Sequence, residues 1–255
     1  MNYIVAADTD IGIVKKTNQD SFYAAVCSTK IGKMAFAVLC DGMGGLEKGE
    51  VASATVIAAF TAWAKTRLPE LSEAELADSV VRADWSNIVT DCNEKIKAYG
   101  KKQGISLGTT VTVVLLTESR YYILNVGDTR CYEISTELKV LTKDQSVVAR
   151  EVELGLLTEA QALTDPRRSV LLQCIGASDT VYPEMFFGET KVNAVYMLCS
   201  DGFHHELGRE ELFAGLEPNV MLSAEQMTAN IRTLIETDKQ RRERDNITVV
   251  AVRTF

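Results

Sequence analysis

Five aspartates stand where apolar segments of the sequence begin or end. Asp41 and Asp201 each follow such a segment, and each is followed by glycine. The same placement recurs at three further aspartates, which are Asp20, Asp128 and Asp245. A single Asp-Gly pair is ordinarily a turn signal. Five carboxylates at segment ends can nevertheless meet if those ends lie along one edge of a sheet assembly, so the sequence indicates a carboxylate cluster.

Such a cluster predicts metal chemistry. Several carboxylates held together need a compensating cation, because each one opposes the ionisation of its neighbours. Ligand sets made of oxygen atoms favour Mg²⁺ or Mn²⁺ over zinc or copper. Gly42 has no side chain, so its carbonyl could approach a cation closely. The chain has only two histidines, His204 and His205, which leaves little material for a histidine zinc site or a Ser-His-Asp triad.

The segments next to these aspartates have the residue types and alternation of strands. Strands are predicted at Tyr3–Ala7, Ser21–Cys27, Met34–Cys40, Thr110–Thr117, Tyr121–Val126, Arg130–Ile134, Leu138–Leu141, Val181–Phe187, Ala194–Ser200 and Ile247–Val252. Helical spacing of apolar residues predicts helices from Glu50, over 81–99, over 145–163 in two pieces and over 206–237. Strands occur before, between and after the helices. This order predicts one α+β domain over residues 1–255.

Charge and apolar content exclude several classes of protein. The 27 basic against 35 acidic residues give a net charge of −8, which argues against partners such as nucleic acid or an anionic membrane surface. The longest apolar run, Met34–Cys40, is far shorter than the roughly 20 residues of a membrane-spanning helix. The start of the sequence shows no signal peptide, so we expect a cytoplasmic protein. The six scattered cysteines are expected to be buried free thiols.

Seven motifs together resemble one family. In chain order they are Asp10-x-Gly12-x-Val14-Lys15-x-x-Asn18-Gln19-Asp20, Asp41-Gly42-Met43-Gly44-Gly45, Gly108-Thr109-Thr110, Gly127-Asp128-Thr129-Arg130, Leu141-Thr142-x-Asp144, Ser200-Asp201-Gly202 and Asp245-Asn246-Ile247-Thr248. Each motif is weak alone, but their joint occurrence over nearly the whole chain is specific. The sequence is similar to the metal-dependent Ser/Thr protein phosphatase family of type 2C (PPM), in its compact bacterial form.

The resemblance implies a fold and a metal centre. The implied fold is a two-layer antiparallel β-sandwich flanked on both faces by antiparallel helix pairs, with a flap region at about 146–178 beside the active site. Two tight Mn²⁺ or Mg²⁺ ions are implied at one end of the sandwich. Their implied ligands are Asp20, Asp41, Asp201, Asp245 and the carbonyl of Gly42. Asp128 and Asp201 are implied to hold a third, weaker ion.

The resemblance also implies an activity. Members hydrolyse phosphoserine and phosphothreonine on proteins, so the expected partners are phosphorylated proteins, including a Ser/Thr kinase and its substrates. A water that bridges the two ions, held by Asp20 and Asp41, would attack phosphorus directly without a covalent intermediate. The chain is expected to be a monomer. Two alternatives stay open at this point: an inert module that binds phosphorylated partners, and a phosphatase of small phosphorylated metabolites.

Three positions depart from the family pattern. Lys15 stands where an arginine commonly clamps the substrate phosphate, and lysine offers only a point charge; an ordinary solvated lysine, with Lys16 as the phosphate partner, is the alternative. Gln19 replaces a frequent glutamate that fixes metal-bound water. Met43 replaces a histidine that serves eukaryotic relatives as the proposed general acid. The identity of the proton donor therefore stays open.

Other polar residues near the motifs are given simpler roles. His204 and His205 are expected at a surface helix start, although their proximity to Asp201 also invites a functional role. Asp10 and Asp144 are expected to hold turns through hydrogen bonds to the backbone. For Asp128, the alternative to a metal role is an ion pair with Arg130 or a turn cap. Trp63 and Trp85 are expected in the core.

Overall fold

A computed structural model describes residues 1–43, 48–73 and 76–255, and within them it contains ten strands and seven helices. The strands are β1 Tyr3–Asp10, β2 Ser21–Thr29, β3 Gly32–Cys40, β4 Val111–Leu116, β5 Arg120–Val126, β6 Arg130–Ile134, β7 Leu138–Val140, β8 Glu184–Glu189, β9 Ala194–Cys199 and β10 Ile247–Thr254. The helices are α1 Gly49–Leu71, α2 Asp78–Gln103, α3 Val147–Glu153, α4 Glu159–Thr164, α5 Asp201–His204, α6 Arg209–Leu216 and α7 Ala224–Gln240.

The strands form two antiparallel sheets of five strands each. The first sheet has the order β1-β10-β9-β6-β7, and the second has the order β2-β3-β4-β5-β8. The chain enters and leaves the fold in the first sheet, where β1 pairs with β10 over its whole length. The α+β sandwich is confirmed.

The alternation of side chains along β3 shows why its sequence is almost continuously apolar. Ala35, Ala37 and Leu39 point into the layer between the two sheets. Phe36 and Val38 point the other way, into the layer under α1 and α2. A strand covered on both faces has no solvent side, which explains the apolar run over Met34–Cys40, while Lys33 near the start of β3 is exposed.

Helices cover the outer face of each sheet. α1 and α2 pack against the second sheet, where the rings of Trp63 and Trp85 lie 5.4 Å apart in an edge-to-face contact. Residues of α5, α6 and α7 pack against the first sheet. The expected core positions of both tryptophans are confirmed. The region expected to be helical over 206–237 is divided between α6 and α7, and α5 precedes it.

The antiparallel pairing brings the aspartates to one end of both sheets. Cys40 at the end of β3 pairs with Ser21 at the start of β2. Cys199 at the end of β9 pairs with Arg130 at the start of β6 and with Val249 near the start of β10. The end of one antiparallel strand lies beside the start of the next. The residues just outside these ends therefore meet.

Two expectations about the whole chain can be compared with the structure. All six cysteines are free thiols, and five of them are buried, as expected. Within the described part of the chain, none of the helices combines the length and apolar character that a membrane crossing requires.

Candidate metal centre

The amide of Asn246 joins the two ends of the chain at the site. Its Oδ1 accepts a hydrogen bond from the backbone N–H of Gln19 at 2.9 Å. Its Nδ2 donates to the carbonyl of Ile11 at 2.9 Å and to that of Thr17 at 3.3 Å. The side chain is almost fully buried. These three bonds fix the loop before β2 against the start of β10, and so place Asp20 beside Asp245.

Asp20 is held through its Oδ2 atom and its backbone. Thr248 donates its hydroxyl to Oδ2 at 2.6 Å, and Asn18 Oδ1 accepts from the Asp20 backbone N–H at 3.1 Å. The other oxygen, Oδ1, is buried without a hydrogen-bond partner among the described residues. Burial raises the pKa of Asp20 to about 7, and repulsion from Asp201 adds to the rise. The hydrogen bond from Thr248 lowers the pKa and so opposes it. An unpaired buried oxygen of this kind is available to a cation.

Asp41 is fixed through its backbone. Its N–H donates to Thr110 Oγ1 at 3.0 Å, and its carbonyl accepts from the N–H of Thr110 at 2.9 Å and from Thr109 Oγ1 at 2.8 Å. Burial raises the pKa of the Asp41 carboxyl well above its ordinary value, and repulsion from Asp20, Asp201 and two further aspartates adds to the effect. The carboxylate therefore lies inside the cluster.

Gly42 allows three backbone segments to meet. A Cβ atom there would lie 2.4 Å from the carbonyl oxygen of Gln19 and 2.6 Å from that of Gly49. Both distances are far below van der Waals contact, so any side chain would push the segments apart. This packing is a second reason for glycine at this position, beside the expected approach of its carbonyl to a cation, which stays a prediction. Gly44 and Gly45 of the same motif lie outside the described residues.

Asp201 and Asp128 complete the cluster. Asp201 opens α5, and its Oδ1 is buried without a hydrogen-bond partner in the described structure. Burial raises its pKa, although the neighbouring His205 opposes the shift. Burial also raises the pKa of Asp128 well above its ordinary value, with Asp201 as the next cause. The two carboxyls are thus electrostatic neighbours, and the ion that they are expected to share stays a prediction.

The donor set fits a divalent cation. Burial, with repulsion from neighbouring aspartates, raises the pKa of four of the carboxyls, those of Asp20, Asp41, Asp128 and Asp201. The buried oxygens Asp20 Oδ1 and Asp201 Oδ1 have no partner in the described structure. Over residues 1–43, 48–73 and 76–255, no three His, Cys, Asp or Glu side chains already stand in metal-ligating geometry. The exclusively oxygen chemistry of the carboxylates matches Mg²⁺ or Mn²⁺.

Lys15 lies beside one of the clustered aspartates. Its Nζ is 2.6 Å from Asp245 Oδ1, and both side chains are partly buried. The lysine that was expected to contact the substrate phosphate thus carries its charge into the carboxylate cluster, and Lys16 is exposed. Gln19, expected to fix a metal-bound water, donates its amide to Glu50 Oε2 at 3.3 Å. The phosphate and water contacts of these two residues stay predictions.

The surface location expected for the histidines is wrong. The His205 side chain is only 12% exposed; its Nε2 lies 3.7 Å from Asp201 Oδ2 and its Nδ1 lies 3.5 Å from Glu243 Oε2. Burial lowers the pKa of His204 well below its ordinary value. The His205 N–H donates to the Asp201 carbonyl at 3.2 Å, which holds this residue one helical turn after Asp201. Sequence reasoning missed Glu243 entirely.

Asp10 and Asp144 have different roles. Asp10 holds a turn as expected, because its Oδ1 accepts from the N–H of Gly12 at 2.7 Å. The turn expected at Asp144 is replaced by an ion pair: Arg130 Nη2 lies 2.7 Å from Asp144 Oδ2, and Arg130 Nε also donates to this carboxylate. Arg130 thus pairs with Asp144 and not with Asp128, the alternative considered from the sequence.

The segment over 146–178 is tied directly to the cluster. It contains α3 and α4. Near its end, Thr109 and Ile175 exchange backbone hydrogen bonds at 3.0 and 2.9 Å, and Thr109 also donates its hydroxyl to the Asp41 carbonyl. The segment expected to be the flap is thereby attached to the backbone of a central carboxylate.

Comparison with known proteins points to one family. The family described as "Protein phosphatase 2C" matches residues 13–236. The serine/threonine protein phosphatase PstP of Mycobacterium tuberculosis is 32% identical over 247 residues, which are 96% of this chain and 44% of the relative. The chain thus spans less than half the length of that relative.

Solved structures share the fold over the whole chain. The serine/threonine phosphatase of S. agalactiae has a TM-score of 0.82 at 26% identity, with 100% of both chains covered. The catalytic domain of PstP, solved in complex with two manganese ions, has a TM-score of 0.78 at 27% identity, with 98% of this chain and 97% of that chain covered.

Proposed function

The chain belongs to the protein phosphatase 2C family, and we propose that it is a Mn²⁺- or Mg²⁺-dependent phosphatase that hydrolyses phosphoserine and phosphothreonine on proteins. One observation carries the proposal: buried carboxylates from both ends and the middle of the chain converge at one end of the sandwich, and two of their oxygens are buried without a partner in the described structure. A protein without a cation ligand role has little physical reason to hold such mutually repelling groups together.

The residues that would hold the ions follow from the cluster. Asp20, Asp41, Asp201, Asp245 and the carbonyl of Gly42 would hold two ions, and Asp128 with Asp201 would hold a third, weaker one. When bound there, such ions lower the pKa of a water molecule and neutralise phosphoryl oxygens.

Neighbouring residues hold the carboxylates of Asp20 and Asp41 in position. Thr248 orients the Asp20 carboxylate through its hydroxyl, and the backbone bonds of Asp41 fix the opposite side of the cluster. We expect these two carboxylates to orient the attacking water for direct attack on phosphorus. Lys15, whose ammonium lies beside Asp245, would contact the substrate phosphate. This arrangement needs no nucleophilic side chain and no covalent intermediate.

The proposed substrates are phosphorylated proteins, including a Ser/Thr kinase and the proteins it modifies. The relatives named serine/threonine protein phosphatase support this substrate class. We further propose that residues 1–255 form a single domain in which the segment 146–178 acts as a flap beside the cluster. Its attachment to Asp41 through Thr109 supports this role.

Phosphate release from a phosphothreonine peptide tests the proposal. We expect turnover with Mn²⁺, loss of turnover with a chelator, and near-complete loss of both turnover and Mn²⁺ binding in Asp41→Asn. Asp179→Asn is the matched control, because it removes an exposed carboxylate that pairs only with the surface residue Lys97 among the described residues. It should behave as the wild type.

Three results would contradict the proposal. Turnover that persists with the chelator would remove the metal role. A folded wild-type protein that binds the phosphopeptide without hydrolysing it, at any Mn²⁺ concentration, would indicate an inert binding module. Turnover of a small phosphate monoester but not of the peptide would indicate that the substrates are small phosphorylated metabolites.

A further inference from the structure

His205 lies between two buried carboxylates. Its Nε2 faces Asp201 Oδ2 at 3.7 Å, and its Nδ1 faces Glu243 Oε2 at 3.5 Å. Both distances are ion-pair contacts, longer than a normal hydrogen bond. The Glu243 side chain is only 4% exposed. Each ring nitrogen thus has its own acidic neighbour inside the protein.

Glu243 also organises the backbone that carries Asp245. Its Oε1 accepts hydrogen bonds from the N–H groups of Arg244 at 2.6 Å and Asp245 at 2.9 Å. Arg242, with φ of 70°, turns the chain at the end of α7, and the Glu243 N–H then donates to the carbonyl of Asp238 at 3.0 Å. The turn directs Glu243 inward, although the surrounding sequence is highly charged.

The two carboxylate oxygens of Asp201 have different surroundings. Oδ2 faces the imidazole of His205. Oδ1 is buried and has no hydrogen-bond partner within the described chain. A carboxylate held on one side by an imidazole presents its other oxygen in a fixed direction, and partners of this kind behind a metal ligand raise metal affinity.

We propose that His205 and Glu243 form a positioning pair that fixes the Asp201 carboxylate and the Asp245 turn for cation binding. The inference rests on the proposed function, in which Asp201 and Asp245 are ligands of the metal ions. Neither member of the pair is expected to touch the substrate. His205 acts through Asp201, and Glu243 acts both through His205 and through the backbone N–H of Asp245.

Mn²⁺ affinity, measured by calorimetry and by the electron paramagnetic resonance signal of bound Mn²⁺, tests the pair. His205→Leu keeps roughly the volume and removes both ring nitrogens, so we expect Mn²⁺ affinity to fall roughly 10- to 100-fold. His205→Gln keeps one donor toward Asp201 and should restore most of the affinity. His204→Leu is the matched control: it removes the adjacent imidazole, which is also partly buried, and should leave Mn²⁺ affinity unchanged.

Kinetics and a double variant separate positioning from a general structural effect. At saturating Mn²⁺, His205→Leu should regain kcat, and KM for the phosphopeptide should not change. Glu243→Gln should also weaken Mn²⁺ binding, and His205→Leu combined with Glu243→Gln should lose little more than the worse single variant, because the two residues act as one unit. If His205→Leu does not fold, Glu243→Gln and His205→Gln carry the test.

The possible failures can be told apart. Wild-type protein that binds no Mn²⁺ would refute the proposed function and this inference with it. Wild-type Mn²⁺ binding together with unchanged affinity in folded His205→Leu and Glu243→Gln would refute the positioning pair alone. An equal loss of affinity in His204→Leu would also overturn it, because the effect would then come from disturbed packing of α5.

Discussion

Asp238 in α7 should make the protein less stable as the pH rises. Its side chain is fully buried, and neither carboxyl oxygen has a hydrogen-bond partner within the described residues. Burial raises its pKa from 3.8 to about 8; repulsion from Glu243 and Glu206 adds to this, and Arg241 and His205 oppose it. At neutral pH the native protein therefore holds Asp238 mainly in its protonated form.

The size of the effect follows from the shift in pKa. The native state keeps the Asp238 proton after the unfolded chain has lost it, so between about pH 4 and about pH 8 the native state binds more protons. The free energy of unfolding must then fall as the pH rises through that window. Each pKa unit corresponds to about 1.4 kcal/mol, so the total reaches about 6 kcal/mol at most.

Asp238→Asn removes this titration while keeping the shape of the side chain. The buried amide costs roughly 1–3 kcal/mol at every pH, because its donors lack partners. The informative quantity is therefore the slope. The difference in unfolding free energy, variant minus wild type, should rise by about 1.4 kcal/mol per pH unit from about pH 4 and level off above about pH 8.

Urea denaturation at a series of pH values, in the presence of a chelator, measures this difference. Glu236→Gln is the control, because it removes an exposed acid from the same helix and should give a nearly flat difference. A flat curve for Asp238→Asn would refute the reasoning and show that Asp238 ionises normally in the native state. A curve that falls with pH would mean that a cationic partner stabilises the charged carboxylate.

Two further predictions concern the cluster itself. Lys15→Ala should raise KM or lower kcat/KM for the phosphopeptide, whereas Lys15→Arg should preserve or improve activity by restoring a bidentate contact; unchanged kinetics in Lys15→Ala would shift attention to Lys16. Asp128→Ala should keep two tight ions in a calorimetric titration but lower turnover, because Asp128 is expected to touch only the third ion. Full activity, or loss of both tight ions, would contradict that assignment.

The main positions of the strands could be predicted from the sequence, because burial leaves a direct mark on residue types. Met34–Cys40 was predicted as a strand and forms most of β3 at Gly32–Cys40. The meeting of the aspartates was also predictable, because residues at strand ends can lie along one edge of a sheet assembly. Carboxylates that meet there repel one another, so a cation is expected between them. Both inferences use rules that act over a few residues.

The surroundings of the cluster could not be predicted in the same way. Glu243 has charged neighbours on both sides in the sequence, Arg242 and Arg244. This local composition is typical of a solvated loop. The left-handed backbone of Arg242 and the bond from the Glu243 N–H to the carbonyl of Asp238 direct it inward. His205 faces Asp201 and Glu243, and the motif that precedes it gives no sign of the contact with Glu243. These placements depend on tertiary packing.

The pairing of β1 with β10 explains how such a repulsive cluster is maintained. Thr9 lies opposite Thr248 in this pair; their hydroxyl oxygens are 2.8 Å apart, and Thr248 also donates to Asp20. Asn18 Nδ2 donates to Thr9 Oγ1 at 2.8 Å. The hydrogen bonds that orient Asp20 therefore extend from the sheet itself. Separating the carboxylates would require disruption of a strand pair that runs the full length of β1, so the stability of the sandwich offsets the repulsion that the site imposes.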